Sequence, residues 1–320
     1  MREPRLPMID QAALAALCDP RTAVDALREA LRTGVDPASA PPRTSVPLSA
    51  GELLLMPAEH GAHAGVKITG VAPGNPDRGL PRVTGLYLLL DATTLRPAAL
   101  LDGAELTLLR TSAVSALAVD CLAPRGADRL LVYGTGPQAL AHAEAVNAVR
   151  PLLSVEVAGR RPERVAALVD ECRRRGLPAA VATERSLAEA DVVACCTSAH
   201  EPLFDGERLA DNATVIAMGS HTPDARETDD ATVRRSTVVV EDVATALREA
   251  GDVVLPHAAG LLPVASLVTL ADVVSGRHEP DTARPRFFKS VGMAWQDLAV
   301  AERVFALAGE DEERDRAERE

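Results

Sequence analysis

Aromatic residues are scarce in this 320-residue chain: Phe, Trp and Tyr make up 2% of it, and its formal net charge is −12. A nucleic-acid surface needs a basic face or stacking rings, so neither a duplex nor a single strand is an expected partner. No stretch reaches the roughly 18 uninterrupted apolar residues of a membrane span, and no membrane partner is expected. The five cysteines, Cys18, Cys121, Cys172, Cys195 and Cys196, are odd in number and form no Cys-x-x-Cys pair. That argues against a disulfide framework and for buried, reduced thiols, with Cys195 and Cys196 as one core and one edge residue of a strand. Residues 1–5 lack the apolar core of a secretory signal, so a cytoplasmic address is expected. His60 and His63 find no third ligand in the sequence and no metal is assigned; nor is there a Gly-x-Ser-x-Gly elbow.

What is present is enough for two domains, with 47% hydrophobic and 25% charged residues. Four of the net negative charges come from residues 309–320, which hold seven acids and three arginines; this tail reads as a frayed, solvated helix end. Residues 7–33 carry apolar positions at helical spacing, with Asp10 and Asp19 as helix starts, and predict two short helices. Short apolar runs at 53–56, 65–68, 86–90 and 97–101, punctuated by Pro and Gly, predict an antiparallel sheet with a hairpin turn at 91–94. A helix of small residues follows at 111–119, with Arg110 at its start.

Beyond it strands and helices alternate, with strands at 130–133, 154–158, 179–181, 191–195, 213–218 and 237–241 and a helix near 162–175. This predicts an α/β fold, a Rossmann doubly wound parallel sheet joined to a smaller α+β domain. The boundaries are drawn at residues 1–113 with 292–320, and 114–291, the last amphipathic helix from Gly292 returning to the first domain.

The apolar run Leu130-Leu131-Val132-Tyr133 feeds directly into Gly134-Thr135-Gly136-Pro137-Gln138-Ala139 and then an Ala-rich helix. Gly134 supplies a tight turn, Gly136 lets backbone approach a ligand, and Ala139 lets the helix pack closely on its strand. The free N–H groups and positive dipole end of the helix then suit a pyrophosphate. Where NAD enzymes carry an acid for the ribose, after the second strand, this chain has Arg160 and Arg161; NADP(H) is favoured and NAD(H) is possible.

Three cations stand in apolar settings of the first domain: Arg43, Lys67 and Arg110. Each alone is an ordinary surface ion pair, and spacing does not make them converge. Together with Gly65-Val66-Lys67, Leu101-Asp102-Gly103, Arg110-Thr111-Ser112-Ala113, the glycine turn, Thr222-Pro223-Asp224-Ala225-Arg226-Glu227 and Lys289-Ser290-Val291-Gly292, the chain resembles the ornithine cyclodeaminase and mu-crystallin family. The resemblance implies a homodimer acting on a small amino or imino acid. It implies that Arg43, Lys67 and Arg110 hold the substrate carboxylate, with Lys67 also a candidate proton relay. It gives Thr111 and the residues from Gly134 to Ala139 the cofactor phosphates, and Ser290 and Gly292 the nicotinamide, helix capping being the alternative for the last two.

Two departures bear on the reaction. Where ornithine cyclodeaminases have acids, this chain has Leu54 and His221, and Asp224 belongs to the Thr-Pro-Asp block of the reductase-like members. The expected activity is therefore NAD(P)H-dependent reduction of a cyclic ketimine such as a pyrroline- or piperideine-2-carboxylate, or interconversion of an amino acid and its imine, with His221 either a proton donor or a plain wall residue. A cyclodeaminase using bound NAD, and a non-catalytic binder of cofactor and small ligands, are the alternatives.

Overall fold

The computed structural model describes residues 6–317; the readings for residues 1–5 and for the end of the acidic tail lie outside the described residues. The chain divides into two compact units, one made of the chain up to Arg110 with the chain from Met293 onward, the other of Thr111–Gly292.

In the first unit, strand β1 (Met8–Ile9) precedes helices α1 (Gln11–Leu17) and α2 (Pro20–Arg32). Asp10 and Asp19 cap these helices, accepting from the amides of Ala13 and Thr22, which satisfies donors a helix start leaves free. Strands β2 (Thr44–Leu48), β3 (Gly51–His60), β4 (His63–Val71), β5 (Val83–Asp91) and β6 (Pro97–Asp102) complete a six-stranded sheet of order β1-β6-β5-β4-β3-β2. All neighbours are antiparallel except the β1–β6 pair.

Pairing fixes which side chains share a face. Lys67 on β4 stands opposite Met56 and Tyr87, and Thr69 opposite Leu54, which in turn faces Ser45. Met56, Lys67, Thr69 and Tyr87 are all buried, and the C-terminal helix Ala294–Ala317 packs on β3, β4 and β5. The alternate residues form the opposite, apolar face, where Met8, Val46, Leu48, Ile68 and Leu86 remain 37–63% exposed.

Helix α3 (Gly103–Leu122) carries the division between the units, between Arg110 and Thr111. It starts earlier than the sequence suggests, because Asp102 accepts from the Glu105 amide at its first turn; Arg110 is therefore a mid-helix residue rather than a helix start. In the second unit an eight-stranded, wholly parallel sheet has the order β13-β12-β14-β11-β10-β7-β8-β9. Its strands are β7 (Arg129–Tyr133), β8 (Ser154–Ala158), β9 (Ala179–Val181), β10 (Val192–Cys195), β11 (Thr214–Ala217), β12 (Thr237–Val240), β13 (Val268–Thr269) and β14 (Arg286–Lys289). Helices α4 (Pro137–Val149) and α5 (Pro162–Arg174) make the first two crossovers. Cys195 and Cys196 are both buried and free, so Cys196 is a second core residue and not an edge one. Among the described residues no helix is long and apolar enough to cross a membrane, and no His, Cys, Asp and Glu cluster has the make-up of a metal site.

Candidate active site

On the buried face of the first sheet, one carboxylate gathers two cations. Lys67 Nζ lies 3.0 Å from Asp297 Oδ1 and 2.9 Å from Oδ2, and Arg110 Nε donates to Oδ1 at 3.1 Å. Arg110 Nη1 also donates to Gln296 Oε1 at 2.9 Å. Lys67, Arg110 and Asp297 are 2%, 6% and 0% exposed, so water screens none of these charges appreciably. Burial pushes the Lys67 ammonium from 10.5 down to about 8; the Arg110 charge adds to this, Asp297 opposes it, and Arg43 lowers it further. The half-buried Arg43, immediately before β2, is thus near enough to be felt by Lys67.

The structure brings Arg43, Lys67 and Arg110 into one electrostatic cluster. Sequence reasoning missed Asp297 at its centre. A signal existed, since Asp297 is the one charged residue in the apolar stretch 294–301. Leu54 shares the Lys67 face and places no carboxylate there.

In the second unit, β7 runs into Gly134, whose φ of +124° disfavours any side chain. A Cβ there would also collide with the Cys196 carbonyl. Gly136 caps α4, Pro137 occupies its first turn, and a Cβ on Gly136 would meet no protein atom within 4 Å. Thr135 packs its methyl against Gly159, Ala139 is 1% exposed, and the buried Gln138 Oε1 has no hydrogen-bond partner. An open glycine at the N-terminus of a 13-residue helix, beside an unpartnered acceptor, fits a dinucleotide pyrophosphate and ribose.

His142 secures α4 from below. Its Nδ1 donates to the Gln138 carbonyl at 2.7 Å and its Nε2 accepts from Ser115 Oγ at 2.9 Å. Arg160 and Arg161 are exposed beyond the end of β8, and Arg161 occupies the N-cap position of α5.

The remaining sequence-derived residues are dispersed along this unit. Thr111 is buried within α3, and His221 is exposed on the segment after β11. The Ser290 hydroxyl donates to Glu241 at 2.8 Å rather than capping a helix, and the same carboxylate accepts the amides of Val291 and Gly292.

A second charge cluster escaped the sequence reading. Glu227 accepts from Thr197 N and Oγ1 at 2.9 and 2.7 Å and from Gly219 N at 2.7 Å. Asp252 Oδ1 accepts the amides of Glu227 and Thr228 and the Thr228 hydroxyl. Lys289, fully buried at the end of β14, pairs with Asp252 Oδ2 at 3.2 Å and donates to the Ser220 carbonyl at 2.7 Å. Burial raises the Glu227 carboxyl above its ordinary value, and Lys289 opposes the rise. Lys67 and Lys289 are the two lysines in the chain, and both are buried. A residue type used only twice, once inside the strand-like Gly65-Val66-Lys67-Ile68 and once directly after Phe287-Phe288, was the available signal.

The chain matches the ornithine cyclodeaminase/mu-crystallin family over residues 9–312. It is 35% identical over 299 residues to a Delta(1)-pyrroline-2-carboxylate reductase of Burkholderia ambifaria, spanning 92% of this chain and 94% of that one. The Thermococcus litoralis Delta(1)-pyrroline-2-carboxylate reductase, solved with NADH and L-proline, superposes with a TM-score of 0.88 at 26% identity, covering 96% of this chain and 98% of that one. An archaeal alanine dehydrogenase dimer with bound NAD gives 0.88 at 27% identity over 96% and 97% of the two chains. Matched by that family's model over nearly its whole length and 35% identical to the Burkholderia relative, the chain belongs to the ornithine cyclodeaminase/mu-crystallin family.

Proposed function

We propose that the protein is an NAD(P)H-dependent oxidoreductase that reduces a small cyclic imino acid of the pyrroline- or piperideine-2-carboxylate type. The carrying observation is the pairing of Lys67 and Arg110 with the single carboxylate of Asp297, a buried arrangement with positive charge in excess. A second carboxylate, that of the substrate, restores balance there. The reductase activity named for the Burkholderia and Thermococcus relatives supports this reading.

Bound NAD(P)H supplies the hydride. Arg43 and Arg110 grip the substrate carboxylate, and Lys67 hydrogen-bonds it and passes a proton toward the ring nitrogen, with Asp297 holding the ammonium in place. His221 is the second candidate donor. Thr111 and the turn Gly134, Thr135, Gly136, Pro137, Gln138 and Ala139 hold the phosphates, and Ser290 borders the nicotinamide. Arg160 and Arg161, with no acid beside them, favour the 2′-phosphate of NADP(H) over NAD(H). Leu54 offers no counter-charge to a distal ammonium, so uncharged rings fit better than ornithine. The exposed apolar sheet face suits a homodimer, the assembly seen in the archaeal neighbour.

Turnover distinguishes the alternatives. NADPH consumption with pyrroline- or piperideine-2-carboxylate, without ammonia from ornithine or lysine, is the expected result. Ammonia release with catalytic NAD⁺ and no imine reduction would identify a cyclodeaminase; neither reaction would identify a non-catalytic binder.

A further inference from the structure

The Glu227, Asp252 and Lys289 network serves no step described above, yet it lies at the carboxyl ends of the central strands. Lys289 ends β14, Thr197 follows β10, and Gly219 and Ser220 follow β11; these three strands are neighbours in the order β14-β11-β10. In open parallel sheets ligands bind outside these strand ends. The network ties the rim together there: one carboxylate of Glu227 joins the segments after β10 and β11, and Lys289 holds the Ser220 carbonyl.

Its charge is unbalanced. Burial raises the Glu227 carboxyl, but each of its oxygens accepts a backbone amide, from Thr197 and from Gly219, which favours the ionised form, and Asp252 Oδ1 likewise accepts the amides of Glu227 and Thr228. Two carboxylates thus share one ammonium, and Glu227, Asp252 and Lys289 are 0–1% exposed, so the excess negative charge is weakly screened.

We infer that this network is an electrostatic seat for the nicotinamide end of the dinucleotide, favouring the oxidised, cationic ring over the reduced, neutral one and so strengthening the bound cofactor as a hydride donor. Glu227 is then a positioning residue that acts through the rim and through its field, without touching substrate. The inference rests on the dinucleotide reading of the glycine turn.

Calorimetric or fluorescence titration with NADPH, NADP⁺ and 2′-phospho-ADP-ribose tests it. In Glu227→Gln the ratio of the NADP⁺ to the NADPH dissociation constant should rise about fivefold, because the lost negative charge no longer favours the cationic ring over the neutral one. Binding of 2′-phospho-ADP-ribose, which lacks the nicotinamide, should stay within about twofold. Asp252→Asn neutralises the same excess and carries the same expectation if the first variant does not fold. An unchanged ratio in a variant that binds 2′-phospho-ADP-ribose normally overturns the inference, as does a wild type that binds NADPH more than about tenfold tighter than NADP⁺. A wild type that binds none of the three is titrated with NADH, NAD⁺ and ADP-ribose under the same expectations, and one that binds none of these either overturns the dinucleotide reading itself, and this inference with it.

Discussion

Lys67 should titrate near pH 8, and its two charged neighbours should move that midpoint in opposite directions. Burial and Arg110 depress the ammonium from 10.5 to about 8 while Asp297 holds it up. Replacing Asp297 by Asn removes the anion 2.9 Å from Nζ. Two unit charges about 4 Å apart at an effective dielectric of about 20 interact by about 4 kcal/mol, roughly three pKa units, and water entering the site should leave a fall of at least about one unit. Replacing Arg110 by Met removes a cation instead, and the midpoint should rise. With Lys67 as the proposed proton donor, kcat/KM in the wild type should be flat below about pH 8 and fall above it. That limb should shift to lower pH in Asp297→Asn and to higher pH in Arg110→Met. Substrate ionisation is common to all three proteins, so the displacement reports the enzyme.

The same quantity can be read without turnover. Lysine labelled with ¹³C at Cε gives two side-chain signals, from Lys67 and Lys289, and Lys67→Met assigns them. Asp297→Asn leaves two buried cations facing a neutral amide, a loss of about 3–5 kcal/mol, so the titration belongs well below its melting point. A wild-type Lys67 midpoint near 10.5, the ordinary value, or shifts of the same sign in the two variants, would refute the reasoning.

The His142 imidazole is lowered to about 4 by burial against about 6.5 unfolded, so its contribution is complete above pH 6.5 and lost as pH falls toward 4. Over that window about 3 kcal/mol should disappear, and urea unfolding of His142→Gln against wild type should show the difference flattening with acid. Gly134→Ala should lower the melting temperature, because φ is +124° and the Cβ meets the Cys196 carbonyl; Gly136→Ala should leave melting unchanged and weaken NADPH binding at least about tenfold by filling the open side of the turn. Arg160→Ala with Arg161→Ala should erase a preference for NADPH over NADH in kcat/KM, and equal efficiency with NADH in the wild type would remove its basis. Ile68→Glu with Leu86→Lys, on the exposed sheet face, should yield monomers in sedimentation velocity if that face joins two copies.

What the sequence made legible was local. The caps Asp10 and Asp19, the hairpin at 91–94 and the glycine turn each depend on neighbours a few positions away, and each appears where expected. Strand β14 was not legible, because its sequence Arg-Phe-Phe-Lys begins and ends with charges that normally mark a surface. The fold buries both: Arg286 donates to the carbonyls of Leu122, Asn212 and Arg284 and to Thr214 Oγ1, and Lys289 meets Asp252 and Ser220. Asp297 was hidden for the same reason, its partners Lys67 and Arg110 lying 230 and 187 positions away. Long-range ion pairs leave no period in a sequence.

The two lysines now carry opposite messages about charge. Around Lys67 cations outnumber carboxylates, Asp297 answering both Lys67 and Arg110; around Lys289 carboxylates outnumber cations, Glu227 and Asp252 answering one ammonium. A chain of net charge −12 has no general need for a buried positive excess, so the first imbalance demands an anionic ligand of its own. The second has the sign that stabilises a ring becoming cationic as hydride leaves it. Reduction of an imino acid brings both demands together, a carboxylate to hold and a positive charge to accommodate on the donor. Cyclodeamination adds a third, a counter-charge for the distal ammonium, and the family resemblance puts that acid at Leu54, an apolar residue on the Lys67 face. The first two demands are common to both reactions, so the preference for the reductase rests on the third, on an apolar Leu54 at the position where the resemblance to the cyclodeaminases expects an acid.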